Sequence, residues 1–182
     1  MRKNETEEPG YGVRSTRIWT RLLGVDKTMI EEVEVEEAED GDDGGDPLIV
    51  VHARPTRGRR LRCGICERRC GRYDNGEGRR RWRALDLGTI QTVLEADAPR
   101  VHCLVHGPTV AAVPWARHAA GHTYAFDEQV AWLATQCSKS AITELMRIAW
   151  RTVDAIITRV WADVEAVHDR FADLTQIGRA HV

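Results

Sequence analysis

No stretch of this chain has the apolar core of an export signal at its N-terminus, and no window approaches the long uncharged apolar run of a membrane span. Secretion and membrane insertion are therefore not expected, and the composition suits a reducing, cytoplasmic setting. Disulfides fit poorly as well, because the five cysteines are an odd count and two pairs suit a metal. Basic residues are missing altogether from Glu31 to Asp46, and neither proline nor glycine occurs from Tyr124 to Val167. The first gap marks an acidic segment and the second a helical one. At 182 residues the chain has room for one ordinary domain or two small ones. Two small ones are favoured, since a small domain with a limited core often depends on a metal.

What the chain does have is two knuckles of ligand spacing. Cys63-Gly64-Ile65-Cys66 and Cys103-Leu104-Val105-His106 each separate two donors by two residues. That spacing lets a tight turn aim both side chains at one ion, and three thiolates with one imidazole make the closed tetrahedral shell of structural zinc. A closed shell leaves no position for a catalytic water. Gly64 relieves the first turn, and Gly107 is available for a backbone conformation that other residues resist. Cys70, His102 and His52 are near enough in sequence to be considered, but four ligands fill the site. The reading selects Cys63, Cys66, Cys103 and His106 and leaves Cys70 as a free thiol. Arg81 to Leu87 and Ile90 to Leu94 are expected as short strands joining the knuckles into a zinc ribbon. An iron or redox centre is the competing use of the same cysteines.

The net charge of -2 conceals a segregation of sign. Glu31 to Asp46 is acidic, whereas Arg54 to Arg83 is dominated by arginine, including Arg59, Arg60, Arg79, Arg80 and Arg81. Arginine around a zinc ribbon is the footprint of a module that lies on a phosphate backbone. A solvated arginine loop, or one neutralised by the acidic run, is the plainer reading of the same pattern. Met29 to Val35 alternates apolar and acidic residues, Leu48 to His52 is apolar and β-branched, and Gly41 to Pro47 is the turn region between these two strands.

Pro108 to His122 reads as an ordered connector around Trp115. Helical periodicity then predicts three helices: Phe126 to Gln136, a second capped by Ser138 or Ser140 and ending near Met146, and a third from Trp150 to at least Val167. The spacing predicts a helix-turn-helix with Ala141, Leu145, Ile148 and Val153 at its crossing, and Val153, Ile156, Ile157, Val160 and Val164 on the third helix's buried stripe. Arg147 stands where such turns often have glycine, so the turn must take another conformation or carry strain. Trp150, Arg151, Thr152 and Asp154 are then placed towards bases, with Lys139 and Arg159 nearer phosphates. A plain three-helix bundle used for dimerisation is the bland alternative.

Taken together, Arg21-Leu-Leu-Gly-Val25, the Cys63/Cys66 knuckle, Arg81-Trp-Arg-Ala-Leu-Asp-Leu-Gly88, Pro99-Arg-Val-His-Cys103, His106-Gly107, Val113-Pro-Trp-Ala-Arg117, His122-Thr123 and Ser138-Lys-Ser-Ala141 through Trp150-Arg-Thr-Val153 resemble the N-terminal region of the ISL-three-type insertion-sequence transposases. The resemblance covers about Arg21 to Gly178. It implies a bacterial, DNA-associated protein that recognises the terminal inverted repeats of its element. It also implies cleavage and joining by an RNase H-like domain holding magnesium on acidic residues. In the family such residues follow the segment like Leu174-Thr-Gln-Ile-Gly178, but here the sequence continues Arg179-Ala-His-Val182, so no catalytic residue is assigned and the tail from Gln176 reads as a sequence artefact.

The expectation is an α+β chain: a flexible tail over 1–17, a β-rich zinc-ribbon domain over 18–110 with an acidic loop at 36–47, a connector over 111–124, a helix-turn-helix over 125–170 and a truncated tail over 171–182. Its function is read as binding double-stranded DNA at transposon ends, with structural zinc, no membrane and a homodimer as the candidate assembly. As it stands it is not expected to be an enzyme. The alternative is a free-standing zinc-ribbon and helix-turn-helix transcription regulator.

Overall fold

The computed structural model describes residues 15–37 and 46–167. These fall into two compact units, divided between Thr123 and Tyr124. Most of the expected acidic loop, residues 38–45, lies outside the described residues, as do the N-terminal residues 1–14 and everything from 168 onward. The architecture is mixed α+β, β-rich first and helical afterwards.

The first unit opens with a helix, α1 (Ser15–Leu22), followed by β1 (Thr28–Glu36), β2 (Leu48–Pro55), a 3-10 turn (Arg57–Arg59), β3 (Gly71–Asp74), β4 (Arg79–Leu87), β5 (Ile90–Asp97), β6 (Arg100–Cys103) and β7 (Gly107–Val110). The strands form two sheets, one ordered β1-β2-β5-β4 and the other β3-β6-β7. β2 and β5 run parallel, while the other neighbours are antiparallel. This corrects one expectation. β4 and β5 are strands as predicted, but they belong to the larger sheet and not to the ribbon between the knuckles. Their period-two apolar residues explain why: Trp82, Ala84, Leu94 and Ala96 share one buried core with Ile30, Ile49, Val51 and Ala53 from β1 and β2. Leu23 and Val25 after α1 complete that core, and Trp115 of the connector meets Trp82 edge to face at 5.5 Å between ring centroids.

Charges occupy other positions of the same strands. The acidic residues of β1 pair across the sheet: Glu31 with Arg54 at 2.5 Å, Glu34 with His52 at 2.6 Å and Glu36 with Arg81 at 2.6 Å. Glu95 of β5 adds Arg79 at 2.9 Å and Arg81 at 2.7 Å. The Arg81 hydrogen bond holds the Glu36 carboxyl below its ordinary range.

The second unit contains α2 (Tyr124–Leu133), α3 (Lys139–Met146) and α4 (Trp150–Val167). Ser138 caps α3, its hydroxyl accepting the Ala141 N–H at 3.3 Å. Phe126, Val130, Leu133, Ile142, Met146, Val153 and Ile156 are buried. The face of α3 differs from expectation: Ile142 and Met146 turn inward four residues apart, while Ala141 and Leu145, one position earlier, are exposed. α4 also outruns its partners. Its 18 residues make a rod of about 27 Å, against 8 residues in α3. Consequently Val164, expected on the buried stripe, is 41% exposed, while Ile157 and Val160 are half-buried. No helix among the described residues is long and apolar enough to cross a membrane.

Candidate metal centre and nucleic-acid interface

The first knuckle is shaped by backbone bonds before any ligand is considered. Cys63 N–H donates to the Arg68 carbonyl and Glu67 N–H to the Cys63 carbonyl, both at 2.9 Å. Glu67 closes the turn with φ of 54°, in the left-handed region. The second knuckle is the turn between antiparallel β6 and β7, whose Cys103 and Gly107 pair directly. Gly107 takes φ of 67°, the conformation for which a glycine suits the position. An isolated bridge between Cys63 and Ala111 ties the first knuckle to the chain just beyond β7.

These turns bring four donor atoms, from Cys63, Cys66, Cys103 and His106, within 4.8 Å of one another. Cys66 Sγ lies 3.8 Å from Cys103 Sγ, and His106 Nδ1 lies 3.5 Å from Cys63 Sγ and 3.7 Å from Cys103 Sγ. A tetrahedral zinc with ordinary bond lengths separates two sulfurs by about 3.8 Å and a sulfur from a nitrogen by about 3.5 Å. The donor set and its spacing therefore fit zinc. Among the described residues this is the one such grouping of three or more histidine, cysteine or acidic side chains.

Backbone N–H groups of Val105 and then His106 hold the Cys103 thiol down to about 6, with the His106 ring adding to the effect. The Arg68 N–H pulls Cys66 the same way, but burial and the thiols of Cys63 and Cys103 outweigh it and leave Cys66 raised. Cys70 stands outside the cluster, its thiol donating to the Arg68 carbonyl at 3.3 Å. Burial and the neighbouring Cys103 push it up, towards the neutral form. His102 stacks on Tyr73, and His52 belongs to the ion network of the larger sheet.

The arginines named as phosphate contacts separate into two groups. Arg79 and Arg81 are engaged with Glu95 and Glu36, and Arg80 lies over the Trp82 ring at 5.3 Å while donating to the Ala120 carbonyl at 2.7 Å. Arg59 pairs with Glu67 at 3.4 Å, and exposed Arg60 donates to the Pro55 carbonyl at 3.3 Å. Spacing alone gave no reason to single out Arg68 and Arg69. Both are exposed, on the turn just after Cys66, and both line a cleft of about 410 Å³ beside the metal cluster. Their position inside the Cys66 to Cys70 turn is the signal that could have found them. His118 was missed too: its ring packs so close to Gly64 that a side chain there would collide with it.

In the second unit Arg147 carries the turn between α3 and α4 in the left-handed conformation, with φ of 52°, and its N–H reaches the Thr143 and Glu144 carbonyls. The missing glycine thus changes the residue and keeps the turn. Trp150 and Arg151 stand exposed at the start of α4, with Thr152 half-buried beside them. Lys139, expected near phosphate, is committed within the unit, bridging to Asp154 and lying 4.4 Å from the Trp150 ring centroid. Arg159 likewise donates twice, at 3.1 and 3.2 Å, to the fully buried carboxylate of Asp127. A buried carboxylate must be paired, which draws that arginine inward.

Comparison with known families agrees with this geometry. The zinc-finger family of transposases IS204, IS1001, IS1096 and IS1165 matches residues 59–106. The helix-turn-helix domain of transposase family ISL3 matches residues 111–161. Over 168 residues the chain is 58% identical to the transposases for insertion sequence element IS1557 from two strains of Mycobacterium tuberculosis. The match covers 91% of this chain and 37% of each relative, so the chain spans little more than a third of their length. No solved structure matches it.

Proposed function

Because the chain carries the zinc-ribbon and helix-turn-helix domains of the ISL3 transposase family, we propose that it binds double-stranded DNA at the terminal inverted repeats of an insertion sequence. Structural zinc held by Cys63, Cys66, Cys103 and His106 would fix the relative position of the two knuckles and supply folding free energy. The exposed start of α4, with Trp150, Arg151 and Thr152, is the part assigned to base contact, as in a recognition helix. Arg60, Arg68 and Arg69 are assigned to phosphates. Arg59, Arg79, Arg80, Arg81, Lys139 and Arg159, expected at DNA from the sequence, are engaged with partners in neighbouring elements and take the lesser share of that contact.

Strand cleavage and joining belong, in this reading, to the portion of the relatives that the chain does not span. The observation that carries the reading is the meeting of four zinc donors in a domain joined directly to a capped helix-turn-helix. A homodimer would match the two-fold relation of inverted half-sites. The test is a salt-dependent titration of the zinc-loaded chain with duplexes from its element's ends and with scrambled duplexes. Preferential binding to the ends is expected. Equal affinity for both would remove end recognition and leave only general DNA binding.

A further inference from the structure

Both knuckles turn apolar side chains outward. Ile65 is 53% exposed, Leu104 95% and Val105 61%. Such residues are unremarkable when scattered, but these sit at the tips of turns whose ends converge on one metal cluster. The Val105 and His106 N–H groups point back at the Cys103 sulfur, which fixes the backbone that carries Leu104. A tip anchored on both sides by metal donors cannot fold its side chain back into a core.

The surroundings of that tip are basic. Leu104 and Val105 share their cleft with Arg68, Arg69 and Arg72, and no carboxylate lines it. An apolar point flanked by guanidinium groups complements an anionic surface with an apolar interior, which describes stacked base pairs between phosphate backbones. We propose that the Cys103 to His106 knuckle is a wedge: Leu104 enters between adjacent base pairs from the minor groove, and Arg68, Arg69 and Arg72 hold the flanking phosphates. The proposal rests on the DNA-binding reading above and adds a second contact, distinct from α4, that deforms the duplex. Wedges of this kind unstack one base step and kink the helix.

The experiment uses the zinc-loaded full chain and short duplexes from the element's ends carrying 2-aminopurine at successive positions. The wild-type chain is expected to raise fluorescence sharply at one step. Leu104→Ala should abolish that rise and weaken binding about tenfold with unchanged zinc content, since the side chain is solvent-exposed. Arg68→Gln with Arg69→Gln should instead lower the slope of log affinity against log salt by about two and keep the rise at saturating protein. Wild-type binding without a fluorescence response at any step would overturn the wedge, leaving the DNA-binding reading in place. Equal behaviour of wild type and Leu104→Ala would overturn it equally. A wild-type chain that binds no duplex would overturn both.

Discussion

A methyl group added at Gly64 would stand 2.6 Å from the Val110 carbonyl oxygen and 2.4 Å from His118 Nδ1. The histidine ring can swing aside, but the carbonyl is backbone and also accepts the Gly64 N–H at 3.1 Å. Gly64→Ala should therefore cost the first unit about 1–3 kcal/mol and weaken its grip on zinc, measured by thermal unfolding and chelator competition. An unchanged midpoint would mean that the knuckle shifts without loss. In the second unit, Arg159→Leu removes two charged hydrogen bonds from buried Asp127. A loss of about 2 kcal/mol in denaturant unfolding is expected, and a neutral result would refute a structural role for Arg159.

Each element depends on a small number of local devices. Ser138→Ala leaves the Ala141 N–H without its cap and should destabilise the second unit by about 1 kcal/mol. Helicity lost on heating reports it. The three-stranded sheet has little apolar core of its own, since Val101 and Cys103 are its fully buried apolar members. Zinc held by the four donors would supply what packing does not, so Cys63→Ser should lose stability on the order of 10 kcal/mol and leave the knuckles unfolded by NMR. A folded, zinc-free variant would refute this. The donors were legible in the sequence because two-residue spacing is a local property. The ribbon's strands were not, because alternation cannot say which sheet a strand joins. β5 pairs in parallel with β2 across a long interval that holds the first knuckle. The three helices of the second unit were legible to within a few residues, whereas α1, which begins inside the expected tail, was not, and the buried face of α3 was misplaced by one position, a shift of about 100° around the axis.

For the molecule as a whole, charge segregation along the sequence becomes partial neutralisation in space. The acidic edge strand β1 engages Arg54 and Arg81, and β5 engages Arg79, so basic character moves from the larger sheet to the turn of Arg68 and Arg69. Only three dimensions reveal that shift, since the arginines look equivalent in a linear run. Replacing Glu31, Glu34 and Glu36 with glutamine should release Arg54, loosen Arg81, which Glu95 still holds, and tighten non-specific duplex binding at low salt. The gain should vanish at high salt, where screening shortens the reach of surface charge. Unchanged affinity at low salt would show that these acids do not restrain binding.

The long interval between the knuckles also sets an order of events in time. Cys66 and Cys103 are 37 residues apart along the chain yet meet at the same cluster. At ordinary translation speeds of about 5–20 residues per second, a ribosome exposes Cys63 and Cys66 for roughly two to seven seconds before Cys103 emerges, with His106 close behind it. During that interval the segment that becomes the antiparallel pair β4 and β5 emerges. The newborn protein therefore spends its first seconds with half a coordination shell, open to capture of a metal by two sulfurs or to a passing oxidant. An oxidant pulse given during synthesis should therefore modify Cys63 and Cys66 more than the same pulse given to the finished, zinc-loaded protein.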